Sequence, residues 1–159
     1  MWCSDRRALL AGLLAVGACG FRPVYGPGGT GTALQGQVRA ADPVSRTDYL
    51  FLAALEDRLG RPDPGRFDLA YRIAVTRLEA GRIQGVGATR IVLTGTLDYT
   101  LAEAGLERAR GRVTAEAAFS ITATQLAAQT AEDDAEARLM RMLAEALVAR
   151  LLADPRLAA

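Results

Sequence analysis

Few side chains in this chain could do chemistry, because the sequence contains no histidine and only two cysteines, Cys3 and Cys19. The usual general base and the commonest metal ligand are therefore missing. Nucleophile systems that pair serine or cysteine with histidine are excluded for the same reason. Catalysis by carboxylates alone stays formally open, but the acidic residues fall mainly on predicted helix starts and exposed strand positions. We therefore predict a protein that is not an enzyme and holds no metal or cofactor.

The segment GPGGTG at residues 26–31 is rich in glycine, as phosphate-binding loops are. It lacks the lysine of such loops, and no helix is predicted directly after it. We interpret it as part of a linker.

Cys19 follows a short apolar run, residues 8–18, which is eleven residues long and carries no charge. This run is too short to span a bilayer as a helix, which takes about 20 residues. With Arg6 and Arg7 ahead of it, the run has the pattern of a signal peptide. A buried core helix is the alternative, which the position at the extreme N-terminus disfavours.

The residues VGA at 16–18 followed by Cys19 resemble the lipobox of bacterial lipoproteins. The resemblance implies that residues 1–18 are removed as a signal peptide, that Cys19 is diacylated on sulfur, and that its new amine is acylated, for example with palmitate. A reactive or disulfide-bonded cysteine is the competing interpretation. Cys3 lies in the part that would be removed, so the mature chain has no partner for a disulfide. The paired arginines also resemble a twin-arginine signal, and the choice between the two export routes stays open.

The composition of the mature chain indicates one globular domain. Residues 19–159 number 141, which is enough for a hydrophobic core. Loss of residues 1–18 leaves 17 of the 19 basic and 17 of the 18 acidic side chains. This balance gives no overall attraction to nucleic acid, so we expect no such partner. Every basic residue is arginine. Codon bias is one explanation, and the other is that guanidinium groups were selected for bidentate contact with phosphate or carboxylate.

Hydrophobic periodicity predicts the element order β-α-β-β-β-α. Residues 19–33 hold two prolines and five glycines, which prevent a regular helix. We therefore predict an extended tether there. Alternation predicts a strand at 34–40, and capping-box spacing at Ser45 and Asp48 precedes a helix that runs to residue 59. Further strands are predicted at 67–76, 90–101 and 112–122. A long helix is predicted at 131–152, with a second capping box from Thr130 to Asp133.

Two connections join the three later strands. The connection at 102–109 is short and contains Gly105, which predicts a hairpin. The connection at 78–89 is longer and has three glycines, and we interpret it as a mobile loop or an extension of the hairpin.

Each later strand has one apolar and one polar face, as in an antiparallel sheet covered on one side. We predict that residues 34–159 form a single α+β domain, a two-layer sandwich with two helices packed on one face of a four-stranded, mostly antiparallel sheet. Leu97 and Phe119 should point into the core, and Thr96 and Ser120 should point outward.

The element order behind a lipobox, together with CGFRPVYG at residues 19–26, resembles the LptE family of lipopolysaccharide-assembly lipoproteins. Members typically show an acylated cysteine, then Gly-Phe, then Pro-aliphatic-Tyr. The resemblance in element order covers essentially the whole chain, whereas the motif is confined to residues 19–26. It implies an outer-membrane lipoprotein that sits in the lumen of the barrel protein LptD as a plug and assembly factor. It also implies binding of lipopolysaccharide (LPS) and assistance in its delivery to the outer leaflet.

Arginine side chains are the candidate LPS-binding groups, because lipid A and the inner-core sugars carry phosphates. The polar sheet face is predicted to carry Arg72, Arg90 and Arg112, and Arg77 and Arg82 flank the glycine-rich connection. We select Arg77, Arg82 and Arg90, which bracket that connection, and expect none of them on the apolar face of its strand. Ordinary solvated surface residues are the alternative.

A second function fits the same sequence features. A periplasmic lipoprotein subunit of an ABC-type exporter, or an envelope scaffold, would share the lipobox and the α+β domain.

Overall fold

The computed structural model describes residues 25–83, 87–121 and 124–157 of the chain. Its elements are helix α1 (Thr30–Leu34), strand β1 (Val38–Ala40), helix α2 (Arg46–Leu59), strands β2 (Phe67–Ile83), β3 (Gly87–Glu103) and β4 (Leu106–Ser120), helix α3 (Gln125–Leu152) and a 3₁₀ helix (Pro155–Leu157). The predicted α+β class is confirmed.

The four strands form one sheet in the order β1-β2-β3-β4. β1 is parallel to β2, and the other neighbours are antiparallel. Both long helices cover the same face, since the Phe51 ring of α2 contacts the Tyr71 ring of β2, with 4.9 Å between ring centres, and α3 packs over β3. On that face Leu97 is 0 % and Phe119 is 7 % exposed. The predicted two-layer arrangement, with its inward and outward positions, is confirmed.

Gly95 allows α3 to approach the middle of β3. A Cβ atom built on Gly95 would lie 2.9 Å from Cδ1 of Leu143 and 3.2 Å from Cγ of Leu139. Both leucines are fully buried. The absence of a side chain at residue 95 therefore sets how closely the helix packs on the sheet.

The turn between β3 and β4 is a two-residue hairpin turn, Ala104 and Gly105. Their φ angles are 49° and 79°, and positive φ at both central positions is the pattern of a type I′ turn. This confirms the predicted hairpin. For the connection predicted at 78–89, the structure confirms the second interpretation, an extension of the hairpin. β2 continues to Ile83 and β3 begins at Gly87.

α2 begins with the predicted capping box. The Ser45 hydroxyl accepts from the Asp48 N–H at 3.1 Å, and the Asp48 carboxylate accepts from the Ser45 N–H at 3.0 Å. The helix ends at Gly60, whose φ of 75° favours glycine.

The prediction for residues 30–37 was wrong. Residues 30–34 form α1, where an extended tether and the start of a strand were expected, and Leu34 is completely buried. Gly36 then adopts a φ of 66° and donates its N–H to the Leu59 carbonyl at 2.5 Å. Because this left-handed glycine turns the chain, the alternation from residue 34 did not indicate a strand, and β1 is only Val38–Ala40. A short helix thus begins within the glycine-rich segment, at Thr30, and the segment contains no lysine.

The predicted start of α3 was also wrong. The helix begins at Gln125, and the Thr124 hydroxyl accepts from the Ala127 N–H at 3.4 Å. Thr130, the expected cap, lies inside the helix and donates its hydroxyl to the Leu126 carbonyl at 3.1 Å. The first turn contains no acidic residue, so the acids further along do not serve the helix dipole.

Those acidic residues instead join α3 to its neighbours. Asp133 Oδ1 accepts from Arg46 Nη1 of α2 at 2.6 Å, and Glu136 Oε1 accepts from the Thr47 hydroxyl at 2.7 Å. The hydrogen bond and the charge of Asp133 raise the pKa of Arg46. These polar contacts fix how the two helices lie side by side over the sheet.

Candidate functional site

The proposed lipid attachment residue, Cys19, lies outside the described residues, as do residues 1–18 of the predicted signal peptide. The described chain begins at Tyr25, which is 62 % exposed. The anchor therefore stays a prediction from the sequence.

The long hairpin of β2 and β3 positions the candidate arginines. The two strands pair from Phe67 opposite Glu103 to Ile83 opposite Gly87. β4 ends at Ser120, opposite Arg90, so the hairpin continues past the end of β4. Two register shifts, on either side of Gly81, disturb the pairing there. All three candidates lie at this end of the sheet.

Arg77 lies on the helix-covered face of β2, contrary to our expectation. It is paired with Leu93, which points into the core, and its Cζ lies 5.4 Å above the centre of the Phe119 ring. Its guanidinium also forms an ion pair with Glu132 of α3. Arg77 shares the odd-numbered parity of Tyr71 and Ile73, which pack against the core, so extending the predicted strand past residue 76 would have revealed its face.

Arg90 lies on the uncovered face and is exposed, as predicted. Its partner on β2 is Gly81, where a Cβ atom would lie 3.3 Å from the Cβ of Arg90 and 2.9 Å from the Thr89 hydroxyl oxygen. Gly81 thus leaves space beside the stem of Arg90. Among the residues that the structure describes, no carboxylate forms an ion pair with it.

Arg82 lies in β2 and its backbone pairs with Ala88, next to the register shift. Its side chain lies outside what the structure describes. The structure therefore places the backbones of Arg82 and Arg90 at the same end of the hairpin, with Arg77 directed to the opposite face.

A row of charges crosses the uncovered face, where the sequence had predicted two of its members, Arg72 and Arg112. Arg72, Asp98 and Arg112 stand opposite one another on β2, β3 and β4. Arg112 binds Asp98 through two hydrogen bonds of 2.6 and 2.9 Å. These hydrogen bonds lower the pKa of Asp98, and the charges of Arg112 and Arg72 add to the effect. The charge of Arg112 is thereby balanced by Asp98, whereas Arg90 has no such partner among the described residues.

An exposed guanidinium without an ion pair, such as that of Arg90, is the kind of group that binds anions. Across residues 25–83, 87–121 and 124–157, no three His, Cys, Asp or Glu side chains come together as a metal site. In the same ranges no helix is both long enough and apolar enough to cross a membrane.

Solved structures share the fold. A Caulobacter crescentus protein assigned as a lipoprotein superposes with a TM-score of 0.64 at 24 % identity, covering 77 % of this chain and 92 % of that chain. A minor lipoprotein from Acinetobacter baumannii gives 0.55 at 13 % identity, covering 74 % and 89 %. Rare lipoprotein B from Shewanella oneidensis gives 0.54 at 11 % identity, covering 72 % and 91 %. No curated protein sequence matches the chain.

At these identities the superpositions establish the class, a two-layer α+β domain, and nothing finer. The sequence model of the LptE family, described as lipopolysaccharide-assembly, matches residues 33–151, which is well over half of the chain. This chain belongs to the LptE family. It is therefore an envelope lipoprotein of LPS assembly, in a family whose members are not enzymes.

Proposed function

We propose that this protein is an outer-membrane lipoprotein, anchored through acyl chains on Cys19, that assembles with an LptD-like barrel and plugs its lumen. In this position it assists the delivery of LPS to the outer leaflet. The observation that carries the proposal is the family match over residues 33–151.

The sheet face without helices supports the barrel part of the proposal. Its central strand presents Thr94, Thr96 and Thr100, with Asp98 held by Arg112 between them. Thr76 on β2 and Thr114 and Glu116 on β4 stand beside these threonines and extend a hydrophilic surface. The interior of a membrane β-barrel is also polar, so such a face suits a barrel lumen better than lipid.

The hairpin end supports the LPS part. Arg90 is exposed and has no ion pair within the described residues. We propose that Arg82 and Arg90 contact LPS phosphates, for which guanidinium groups offer paired donors. Arg77, already bonded to Glu132, contributes mainly by holding the hairpin against α3.

Depletion of the protein tests the proposed function. Surface LPS should fall when the chain is depleted and return when the wild-type chain is supplied. Unchanged surface LPS after depletion would contradict the proposal.

Direct LPS binding tests the arginines. The full-length lipoprotein in detergent is compared with the double variant Arg82→Ala/Arg90→Ala and with Arg61→Ala/Arg141→Ala, which removes two exposed arginines elsewhere. At low salt the hairpin variant should bind up to about tenfold more weakly. The difference should shrink as salt rises, because exposed charges are screened. Equal binding by the hairpin variant and wild type at low salt would place the LPS contact elsewhere.

A further inference from the structure

We propose that the outer edge of β4 is an interface for a second copy of this chain, which joins the two sheets into one continuous sheet. β4 is the last strand in the sheet order, and within the described ranges β3 is its only neighbour. The free N–H and C=O groups of such an edge are a ready template for another strand. This interface goes beyond the proposed function and does not depend on it, because neither a barrel nor LPS takes part.

The backbone groups of β4 alternate in direction. The Ile121 N–H, directly after β4, donates to the Thr89 carbonyl of β3 at 3.1 Å. Odd-numbered residues of β4 therefore face β3, and even-numbered residues turn their N–H and C=O groups outward. The Ala118 carbonyl agrees with this, since it accepts from Nη2 of Arg138 on α3 at 3.0 Å. Arg138 thus covers the edge at this end.

The free part of the edge lies between two limits. It stops before Ala118, and at the other end the register with β3 shifts between Ala109 and Glu107. It therefore spans Arg110–Glu116, and its midpoint is Val113. A two-fold axis at this midpoint lets both copies use the whole free part, as a symmetric dimer requires. The outward-facing residues of the two copies then exchange about eight backbone hydrogen bonds.

The same register pairs opposite charges. Arg110 stands directly opposite Glu116 of the second copy, and the symmetry repeats this pair. In the single chain both side chains are exposed. Arg110 donates to Glu107 at 2.6 Å, and Glu116 accepts from the Thr94 hydroxyl at 3.1 Å. A guanidinium has several N–H donors and a carboxylate several acceptor sites, so each group keeps capacity for the other.

Neighbouring registers are less favourable. An axis at Arg112 would place this residue opposite itself, and like charges directly opposite one another destabilise a sheet. An axis at Thr114 would place Arg110 opposite Ala118, whose carbonyl is already bonded to Arg138. The position of the free part and the charge pattern thus select the same axis.

The helix-covered side of this edge has apolar surface that a second copy would bury. Val113 and Ala115 pack on the core but stay partly exposed. Met142 of α3 is 38 % exposed. It lies one helical turn after Arg138, which reaches β4, so it points towards the same edge. Burial of this surface adds to the stabilisation by the backbone hydrogen bonds.

The opposite edge of the sheet does not offer the same contact. There β1 pairs with β2 from Phe67 to Leu69. An antiparallel copy centred on Val75, in the rest of β2, would place its Gly81 opposite Leu69, where β1 lies. At β4 the described sheet has no further strand, so the position is open.

Disulfide crosslinking in intact cells tests the register. In the dimer the two copies of residue 113 form a pair without backbone hydrogen bonds between them, with Cα atoms about 4.5 Å apart, and a disulfide can bridge this separation. Cells that make the full chain with Val113→Cys are treated with copper–phenanthroline. The products are separated without reductant and identified by mass spectrometry. A disulfide-linked homodimer is expected.

Ala115→Cys is the matched control, because residue 115 lies on the same face of β4. Its two copies are about 14 Å apart along the strands in the dimer, which is too far for a disulfide. Wild type controls for crosslinking through Cys19. Only Val113→Cys should give the homodimer. Equal crosslinking of both variants, no homodimer, or a disulfide only to a different envelope protein would overturn the proposal.

Charge exchange tests the same contact in the Val113→Cys chain. Arg110→Glu places two glutamates opposite each other in each pair, so it should slow crosslinking about tenfold. The double change Arg110→Glu/Glu116→Arg restores opposite charges and should restore the rate. Arg61→Glu, which breaks an exposed ion pair with Glu56 elsewhere, should leave the rate unchanged. Failure of the double change to restore crosslinking would refute the proposed pairing.

Discussion

The guanidinium of Arg77 lies over the ring of Phe119, with the Arg77 Cζ 5.4 Å from the ring centre, although the two residues belong to strands that are not neighbours. The same guanidinium forms an ion pair with Glu132. Arg77 thus connects β2 with β4 and with α3 at the end of the domain where the hairpin projects.

Replacement of Arg77 by alanine should lower the free energy of unfolding by about 1 kcal/mol, because the cation–π contact contributes about 0.5–1 kcal/mol and an exposed ion pair contributes little. Chemical denaturation measures this change. Arg90→Ala, which removes no ion pair in the described residues, is the control and should change little. A double-mutant cycle with Glu132→Gln should show coupling, and zero coupling would refute the role of the ion pair.

Gly95→Ala should destabilise the domain by about 1–3 kcal/mol, because the new Cβ would crowd Leu143 and Leu139. Thermal or chemical unfolding measures the cost. In a Leu143→Ala background the same change should cost less, since the closest atom is gone. Thr96→Ala, on the uncovered face, serves as the control. An equal cost in both backgrounds would rule out the helix contact as the cause.

Tyr71 should make stability fall at alkaline pH. Burial, with the charges of Asp48 and Asp42, raises the pKa of Tyr71 to about 12. The unfolded chain loses this proton from about pH 10. Between these values the unfolded state binds fewer protons than the folded state, so the free energy of unfolding falls as pH rises.

Tyr71→Phe should reduce that fall between about pH 10 and 12. At neutral pH the variant should be as stable as wild type or more so, because the buried Tyr71 hydroxyl has no hydrogen-bond partner in the described structure. Unfolding curves across the pH range measure both effects. Tyr49→Phe is the control, since Tyr49 is 62 % exposed. A pH profile unchanged by Tyr71→Phe would contradict the assignment.

Cys19→Ala should abolish acylation and leave an uncleaved or misprocessed precursor. Metabolic labelling with a fatty-acid analogue measures it, and the wild type should carry the label. Gly20, rather than aspartate, after the cysteine suggests sorting to the outer membrane by analogy with known lipoproteins. Stable anchoring requires at least two acyl chains or equivalent signals, so an anchored protein must carry the labelled fatty acid. An unlabelled wild-type protein would refute the lipid anchor.

Local patterns in the sequence were enough for the class of fold. Alternation identified the faces of β3 and β4, so Leu97 and Phe119 were correctly placed in the core. Ser45 and Asp48 gave the start of α2, because a capping box involves only residues close in sequence.

Contacts between distant residues could not be read in the same way. Arg77 and Glu132, or Arg46 and Asp133, meet only after the sheet and helices have packed. The close approach of Leu143 to Gly95 likewise depends on the position of α3 over the sheet. The sequence therefore placed the candidate arginines around the connection between β2 and β3, where the structure has them, but it predicted the wrong face for Arg77.

The partner in the outer membrane is the central claim. The most direct measurement is a pull-down of the tagged wild-type protein from detergent-solubilised outer membranes, with the captured proteins identified by mass spectrometry. Thr96→Asp, on the uncovered face, should stay folded, whereas Leu97→Asp buries an unpaired charge and serves as the unfolded control. We predict that wild type captures a large LptD-like barrel protein and that Leu97→Asp does not. Capture of ABC-exporter subunits instead, or of no barrel protein, would contradict the account.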